Sequence, residues 1–193
     1  MKTHKKKAII CTNDAWTLFH FRGSLMRALM ARGFEVIAAG PRDQYADAIE
    51  AMGVRFAHIP ISPAGMNPVQ ELWTTIQLYR LYVREKPVLV HQYSQKAILY
   101  GTIAARLAGV RAIVNTVNGL GWTLGEASGM MKILQPMIRW VMSFALRRPV
   151  RLTFQNRELS VFYYQRGLAT PEQSTVILGS GIDPDRYSPD DGA

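Results

Sequence analysis

Seven short apolar runs separated by longer amphipathic stretches constrain this chain more than any other feature. The runs cover Ala8 to Thr12, Val36 to Ala39, Arg55 to Ile59, Val88 to His91, Ala112 to Val117, Leu152 to Gln155 and Val176 to Leu178. Between them, residues 17 to 32, 43 to 52, 68 to 85, 96 to 108, 129 to 147 and 157 to 166 place apolar side chains at helical spacing. Short continuous apolar runs suit strands covered on both faces, which is the condition of a parallel sheet. Strand and helix alternate throughout, so the expected fold is α/β: a Rossmann-like, doubly wound parallel sheet of about seven strands with helices on both faces. Local punctuation agrees. Gly33 and Gly53 follow helices as C-caps, Pro68 can open one at its first turn, and Pro87 closes the helix that ends near Lys86.

The 193 residues suffice for one core and are short for two. No stretch approaches the roughly 18 uninterrupted apolar residues of a spanning helix. Cys11, alone and inside the first apolar run, excludes a disulfide framework and permits a reducing compartment. The start MKTHKKKAII reads as a charged lead-in to a strand, since its apolar run stops at Thr12 and Asn13 too soon for a signal peptide. A net charge of +9 favours anionic partners. The basic residues are scattered from Arg22 to Arg151 without an aromatic-interleaved cluster or zinc-ligand spacing, so no nucleic-acid partner is expected.

In doubly wound sheets ligands gather beyond the carboxyl ends of the strands. Four such ends carry unusual polar sets. In NDAWTLFHFRG, residues 13–23, Asn13 or Asp14 can cap a helix whose amides would attract an anion, and His20 and Arg22 are candidates for binding a phosphate. The alternative is plain capping and a solvated helix face. In HQYSQK, residues 91–96, His91, Tyr93 and Lys96 are candidate substrate contacts, although His91 also fits a satisfied buried histidine and Lys96 a simple helix start. In NTVNGLGW, residues 115–122, Gly119 and Gly121 allow close backbone approach and Trp122 offers a flat face to a sugar ring. Asn118 in that set is the candidate catalytic-position residue. FQNRE, residues 154–158, is the fourth.

Residues 129–148, GMMKILQPMIRWVMSFALRR, join large apolar side chains to Lys132, Arg139, Arg147 and Arg148. Such a helix can lie in the headgroup region of a membrane surface, or be buried between the sheet and a neighbour.

The terminal run VILGSGIDPDRYSP, residues 176–189, reads as a central strand, a glycine turn at Gly179 and Gly181, and a linker carrying Pro184 and Pro189. It resembles the hinge that closes the N-terminal domain of retaining, two-domain family 4 glycosyltransferases. LMRALMARGFEVIAAGP (25–41) and KPVLVHQYSQKAILYGTIAARLAGV (86–110) resemble that family's first helix with second strand, and its strand with the A-A-x-x-x-G helix. The HFRGSLMRAL and GLG variants further resemble bacterial members that build capsule, O-antigen or other glycans on a polyprenyl diphosphate carrier.

The resemblance implies a GT-B architecture in which residues 1–182 form the acceptor-side domain. Residues 183–193, starting at Asp183, would lead towards a C-terminal donor-binding domain that the chain lacks. It implies a nucleotide-sugar donor as substrate, a glycan or polyprenyl-diphosphate-linked acceptor, no cofactor and no metal. It also implies a place in the bacterial cytoplasm, peripheral on the inner face of the membrane, and no turnover by this chain alone. Two positions depart from the family pattern. Trp16 and Thr17 stand where many members have a glycine pair near the donor diphosphate, and Asn118 stands where many have a histidine close to the reacting sugar. Two alternatives stay open: a nucleotide-sugar epimerase of the same architecture, or a non-catalytic binding half of a split enzyme.

Overall fold

The computed structural model describes residues 5–62, 67–119, 130–147 and 149–181, with residues 130–134 described as backbone. Its elements are β1 (Lys7–Cys11), α1 (Ala15–Ala31), β2 (Glu35–Gly40), α2 (Ala46–Ala51), β3 (Arg55–His58), α3 (Pro68–Glu85), β4 (Leu89–Tyr93) and α4 (Gln95–Leu107). There follow β5 (Ala112–Val117), α5 (Met130–Ala145), β6 (Arg151–Phe154), α6 (Arg157–Gln165), a 3-10 turn (Pro171–Gln173) and β7 (Ser174–Val176). All strands are parallel in the order β3-β2-β1-β4-β5-β6-β7. The expected doubly wound α/β sheet is therefore the observed one.

Because side chains alternate along a strand, each central strand feeds two cores. Ile10, Val36, Ala38 and Phe56 pack beneath α1 and α2. Ile9, Ile37, Val90, Ile113, Leu152 and Phe154 pack on the other side, against α3 to α6. That second side also buries polar groups. Asn115 Nδ2 donates to Thr102 Oγ1 (2.9 Å), and the Thr102 hydroxyl donates to Gln92 Oε1 (3.3 Å), which ties α4 to β4 and β5. Gly101 makes room for this contact: a Cβ there would stand 2.6 Å from Gln92 Oε1.

Three boundaries differ from the sequence reading. The last strand ends at Val176, and Ile177 and Leu178 are 58% and 76% exposed, so VIL is not a buried central strand. It lies at the sheet edge, where the apolar residues have no second neighbour to cover them. Helix α1 begins at Ala15, because the Asp14 side chain accepts from the Thr17 N–H (2.6 Å) and fixes its N-cap. Strand β4 runs on past His91 to Tyr93, so Tyr93 belongs to the strand and not to the loop after it.

Candidate functional site

The chain leaves β1 towards β2 on one side, while β4 lies on the other, so the strand order reverses between β1 and β4. Crevices form at the carboxyl ends of such a pair. Helices α1 and α2 pack on β1, β2 and β3. The α1-side residues of β4, β5 and β6 line a cavity of about 210 Å³ instead, with His91, Tyr93, Thr116 and Thr153 as its floor and Arg22 and Ser180 in its walls.

Arg22 projects from α1 and is 6% exposed. Its guanidinium stacks 4.0 Å from the centre of the Tyr93 ring. Nη1 donates to the carbonyls of Phe21 (3.4 Å) and Ser180 (3.2 Å), and the buried Nε finds no acceptor. Burial lowers the guanidinium pKa, the measure of a cation held where water cannot solvate it.

His91 takes part in a chain of hydrogen bonds across three strands. Tyr93 Oη lies 3.3 Å from His91 Nδ1, His91 Nε2 lies 2.7 Å from Thr116 Oγ1, and Thr116 Oγ1 lies 2.7 Å from Thr153 Oγ1. The Thr153 hydroxyl reaches the Asn115 carbonyl at 3.4 Å. A neutral imidazole with its proton on Nε2 satisfies the whole chain: Tyr93 donates to Nδ1, and donation then runs from Nε2 through Thr116 and Thr153 to the carbonyl. Burial first, and the Arg22 charge second, push the His91 pKa down to about 3. His91 is thus an uncharged, internally satisfied group. It shapes the cavity floor and adds no second cation.

The remaining sequence candidates divide. Asn13 follows β1 at the crevice and its Oδ1 accepts weakly from Thr12 (3.4 Å). His20 and Arg22, paired in the sequence reading, face different ways, as residues two apart on a helix must. His20 sits among the rings of Trp16 (4.9 Å), Phe19 (5.2 Å) and Tyr45 (5.2 Å). Asn118 is exposed just beyond β5. The carbonyl of the half-buried Gly119 accepts from Gln95 Nε2 (2.7 Å), which also donates to Tyr163 Oη (3.2 Å) on α6.

Lys96 is not brought to this set. It is 3% exposed and its ammonium bonds Glu71 Oε1 at 2.5 Å, between α4 and α3 on the other side of the sheet. Gly179 and Gly181 both hold left-handed backbone (φ 73° and 72°) around Ser180. Gly121, Trp122 and Asp183 lie outside the described residues. Among the described residues, no three His, Cys, Asp or Glu side chains come together as metal ligands.

Thr116, Thr153, Gln155, Ser180 and Gln95 were not singled out from sequence. The signal for the first two is the period of two along parallel strands, which puts Thr116 on the same face as Tyr93, and Thr153 beside Thr116. No sequence signal separates Gln95 from Lys96. Ser94 takes φ 65° ahead of α4, and Gln95 and Lys96, consecutive on that helix, point about 100° apart.

The outer face of α5 is the other unusual surface. Met137, Trp140 and Phe144 form an exposed stripe, with Trp140 71% exposed, while Ile138, Met142 and Ala145 on the same helix are buried. Arg147 lies 5.9 Å from the Phe144 ring. No acidic residue occurs from 127 to 157. On the same side of the sheet α3 exposes Val69, Leu72, Trp73 and Val83, with Arg80 stacked 5.7 Å from Trp73. The two acids of α3, Glu71 and Glu85, are both turned inward into ion pairs. No helix among the described residues is long and apolar enough to cross a membrane.

Residues 21–178 match the family described as the glycosyl transferase 4-like domain. The chain belongs to that family. Among curated relatives of this glycosyl transferase 4-like domain is an Escherichia coli UDP-Gal:alpha-D-GlcNAc-diphosphoundecaprenol alpha-1,3-galactosyltransferase, 29% identical over 151 residues. That match covers 78% of this chain and 37% of the relative. A Campylobacter jejuni N,N'-diacetylbacillosaminyl-diphospho-undecaprenol alpha-1,3-N-acetylgalactosaminyltransferase is 22% identical over 173 residues, 90% of this chain and 46% of the relative. The domain thus spans less than half the length of either. A glycosyltransferase from Rickettsia africae shares the fold with a TM-score of 0.66 at 12% identity, over 96% of this chain and 45% of that one. A UDP-N-acetylglucosamine 2-epimerase from Rickettsia bellii does so at 0.61 and 13%, over 92% and 46%. Both show the architecture alone, and the family match separates transferase from epimerase where the fold does not.

Proposed function

We propose that this domain is the acceptor-side half of a bacterial glycosyltransferase, moving a sugar from a nucleotide-sugar donor to a polyprenyl-diphosphate-linked acceptor in surface-glycan synthesis. The observation that carries the reading is that both curated relatives are named for diphosphoundecaprenol-linked acceptors and match over most of this chain. In this reading the acceptor enters at the carboxyl ends of β4 and β5. Asn118, exposed there, donates and accepts hydrogen bonds to sugar hydroxyls and takes no proton, since an amide is not a base. Gly119, held by Gln95, keeps the loop backbone close to the substrate. The glycines at 179 and 181 serve as a hinge that continues through Asp183 to a donor-binding domain, and the reaction needs no metal.

The lipid-linked acceptor is reached from a membrane surface, and the α5 stripe fits one. Exposed Met137, Trp140 and Phe144 can enter the headgroup boundary while basic side chains meet anionic lipid. The α3 stripe lies on the same side of the sheet.

Calorimetry with the 193-residue chain tests the reading. A short-chain polyprenyl-diphosphate N-acetylglucosamine is expected to bind and UDP-galactose to bind far more weakly; the reverse order would assign this half to the donor. Co-sedimentation with phosphatidylglycerol vesicles tests the surface. Wild type should pellet with them and not with phosphatidylcholine, and Trp140→Glu should lose most of that binding with unfolding unchanged. Equal pelleting of the variant would remove α5 from the membrane contact.

A further inference from the structure

Arg22 combines properties that a purely structural cation avoids. It is 6% exposed, its buried Nε has no acceptor, and among the described residues no carboxylate pairs with it. An uncompensated buried charge costs several kcal/mol. The interactions it does make are one stacking contact and two carbonyl bonds, of 3.2 and 3.4 Å, through a single nitrogen.

The wall around it is built of neutral groups. None of the described residues lining the cavity is acidic. His91, Thr116 and Thr153 spend their hydrogen bonds on one another. Ser180 Oγ accepts from Gln155 Nε2 at 2.7 Å, which leaves its own proton for another acceptor. The guanidinium lies against Tyr93 and is thereby fixed in plane, the condition for presenting its N–H edge to two oxygens at once.

We propose that this cavity is a phosphate site, in which an oxyanion of a diphosphate ester seats against Arg22 and the Ser180 hydroxyl. The site deepens the glycosyltransferase reading, on which it rests only for the choice of ester. That ester is the diphosphate of the lipid-linked acceptor or of the nucleotide-sugar donor, and the chemistry of recognition is the same for both. Because Arg22 also holds the carbonyl of Ser180, the anion binds beside the glycine hinge.

The test is titration of the 193-residue chain with inorganic pyrophosphate in a phosphate-free buffer, followed by calorimetry and ³¹P NMR. One saturable site is expected. Arg22→Met should weaken it roughly 10- to 100-fold, the range of one to two lost charge-assisted hydrogen bonds. Arg22→Lys, which keeps the charge without the planar fork, should fall between. Pyrophosphate should raise the thermal midpoint of the wild type and leave that of Arg22→Met unmoved. Ser180→Ala, a surface-segment change that leaves α1 untouched, should weaken binding several-fold.

Absence of saturable binding, or equal binding by Arg22→Met, overturns the proposal. Geranylgeranyl diphosphate displacing pyrophosphate where UDP does not assigns the site to the acceptor, and the opposite order assigns it to the donor. Arg22-dependent pyrophosphate binding without any binding of lipid-linked sugar keeps the site and removes the acceptor reading. Lipid-linked sugar binding that ignores Arg22 does the reverse.

Discussion

Lys96 and Arg22 are two buried cations on opposite sides of one sheet, and the structure treats them differently. Lys96, 3% exposed, meets Glu71 at 2.5 Å between two packed helices. Arg22, 6% exposed, meets an aromatic ring and two carbonyls and no acid among the described residues. The first arrangement is closed, because the positive charge and its counter-charge are both inside the protein. The second is open, because no counter-charge stands beside it among the described residues. The open arrangement lies at the reversal of strand order, where doubly wound sheets bind ligands, and an anion from outside the fold would complete it.

The closed pair should yield the largest effect when broken. Lys96→Met leaves Glu71 buried without its cation, and a loss of about 3–5 kcal/mol in urea unfolding is expected. A loss under about 1 kcal/mol would mean that Glu71 finds water or another partner, and the contrast with Arg22 would fail.

Glu85 sharpens the same point through pH. Its burial favours the neutral acid, but hydrogen bonds from Arg55, Lys7 and Arg84 overcome that and lower its pKa to about 2. The depressed folded-state pKa means stability present above the unfolded value of 4.5 and lost progressively as pH falls to about 2. The contribution is on the order of 2 kcal/mol, reduced from the full linkage because Arg55 and Arg84 are exposed. Glu85→Gln should flatten the fall in unfolding free energy between pH 5 and 2, and an unchanged slope would place the acid sensitivity elsewhere.

Gly101→Ala probes the polar layer that the closed side of the sheet depends on. The added Cβ would press on Gln92 Oε1, so about 1–3 kcal/mol should be lost in denaturant unfolding. A neutral result would show that Gln92 swings aside, and that its bond to Thr102 contributes little.

The sequence carried the sheet, its parallel order and both helical layers, because strands such as β1 and β2 are buried on both faces and most helices on one. Those conditions leave periodic signatures. It misread Val176 to Leu178, since an apolar run has the same pattern at a sheet edge as at the centre. At the site it identified Arg22 and Tyr93 as separate residues. Their stacking joins α1 to β4 across 71 positions, a relation no local pattern contains. Lys96 was read as a contact, but its ammonium is paired with Glu71 on the other side of the sheet, and its neighbour Gln95 is the one that holds Gly119. Asn118 was singled out because two glycines, an asparagine and a tryptophan after a strand are costly as mere spacing; it is exposed just beyond β5.

The unfolding free energy of Arg22→Met, measured in phosphate-free buffer, tests the contrast most directly. The substitution removes a buried charge with no counter-charge among the described residues, costing several kcal/mol, and gives up a stacking contact of about 2 kcal/mol and one good hydrogen bond of about 1 kcal/mol. The variant is expected to be as stable as the wild type or more so, with its thermal midpoint unchanged or raised. A loss of more than about 2 kcal/mol would show that Arg22 is a structural clamp between α1 and the segment around Ser180, and that nothing from outside is needed to complete it.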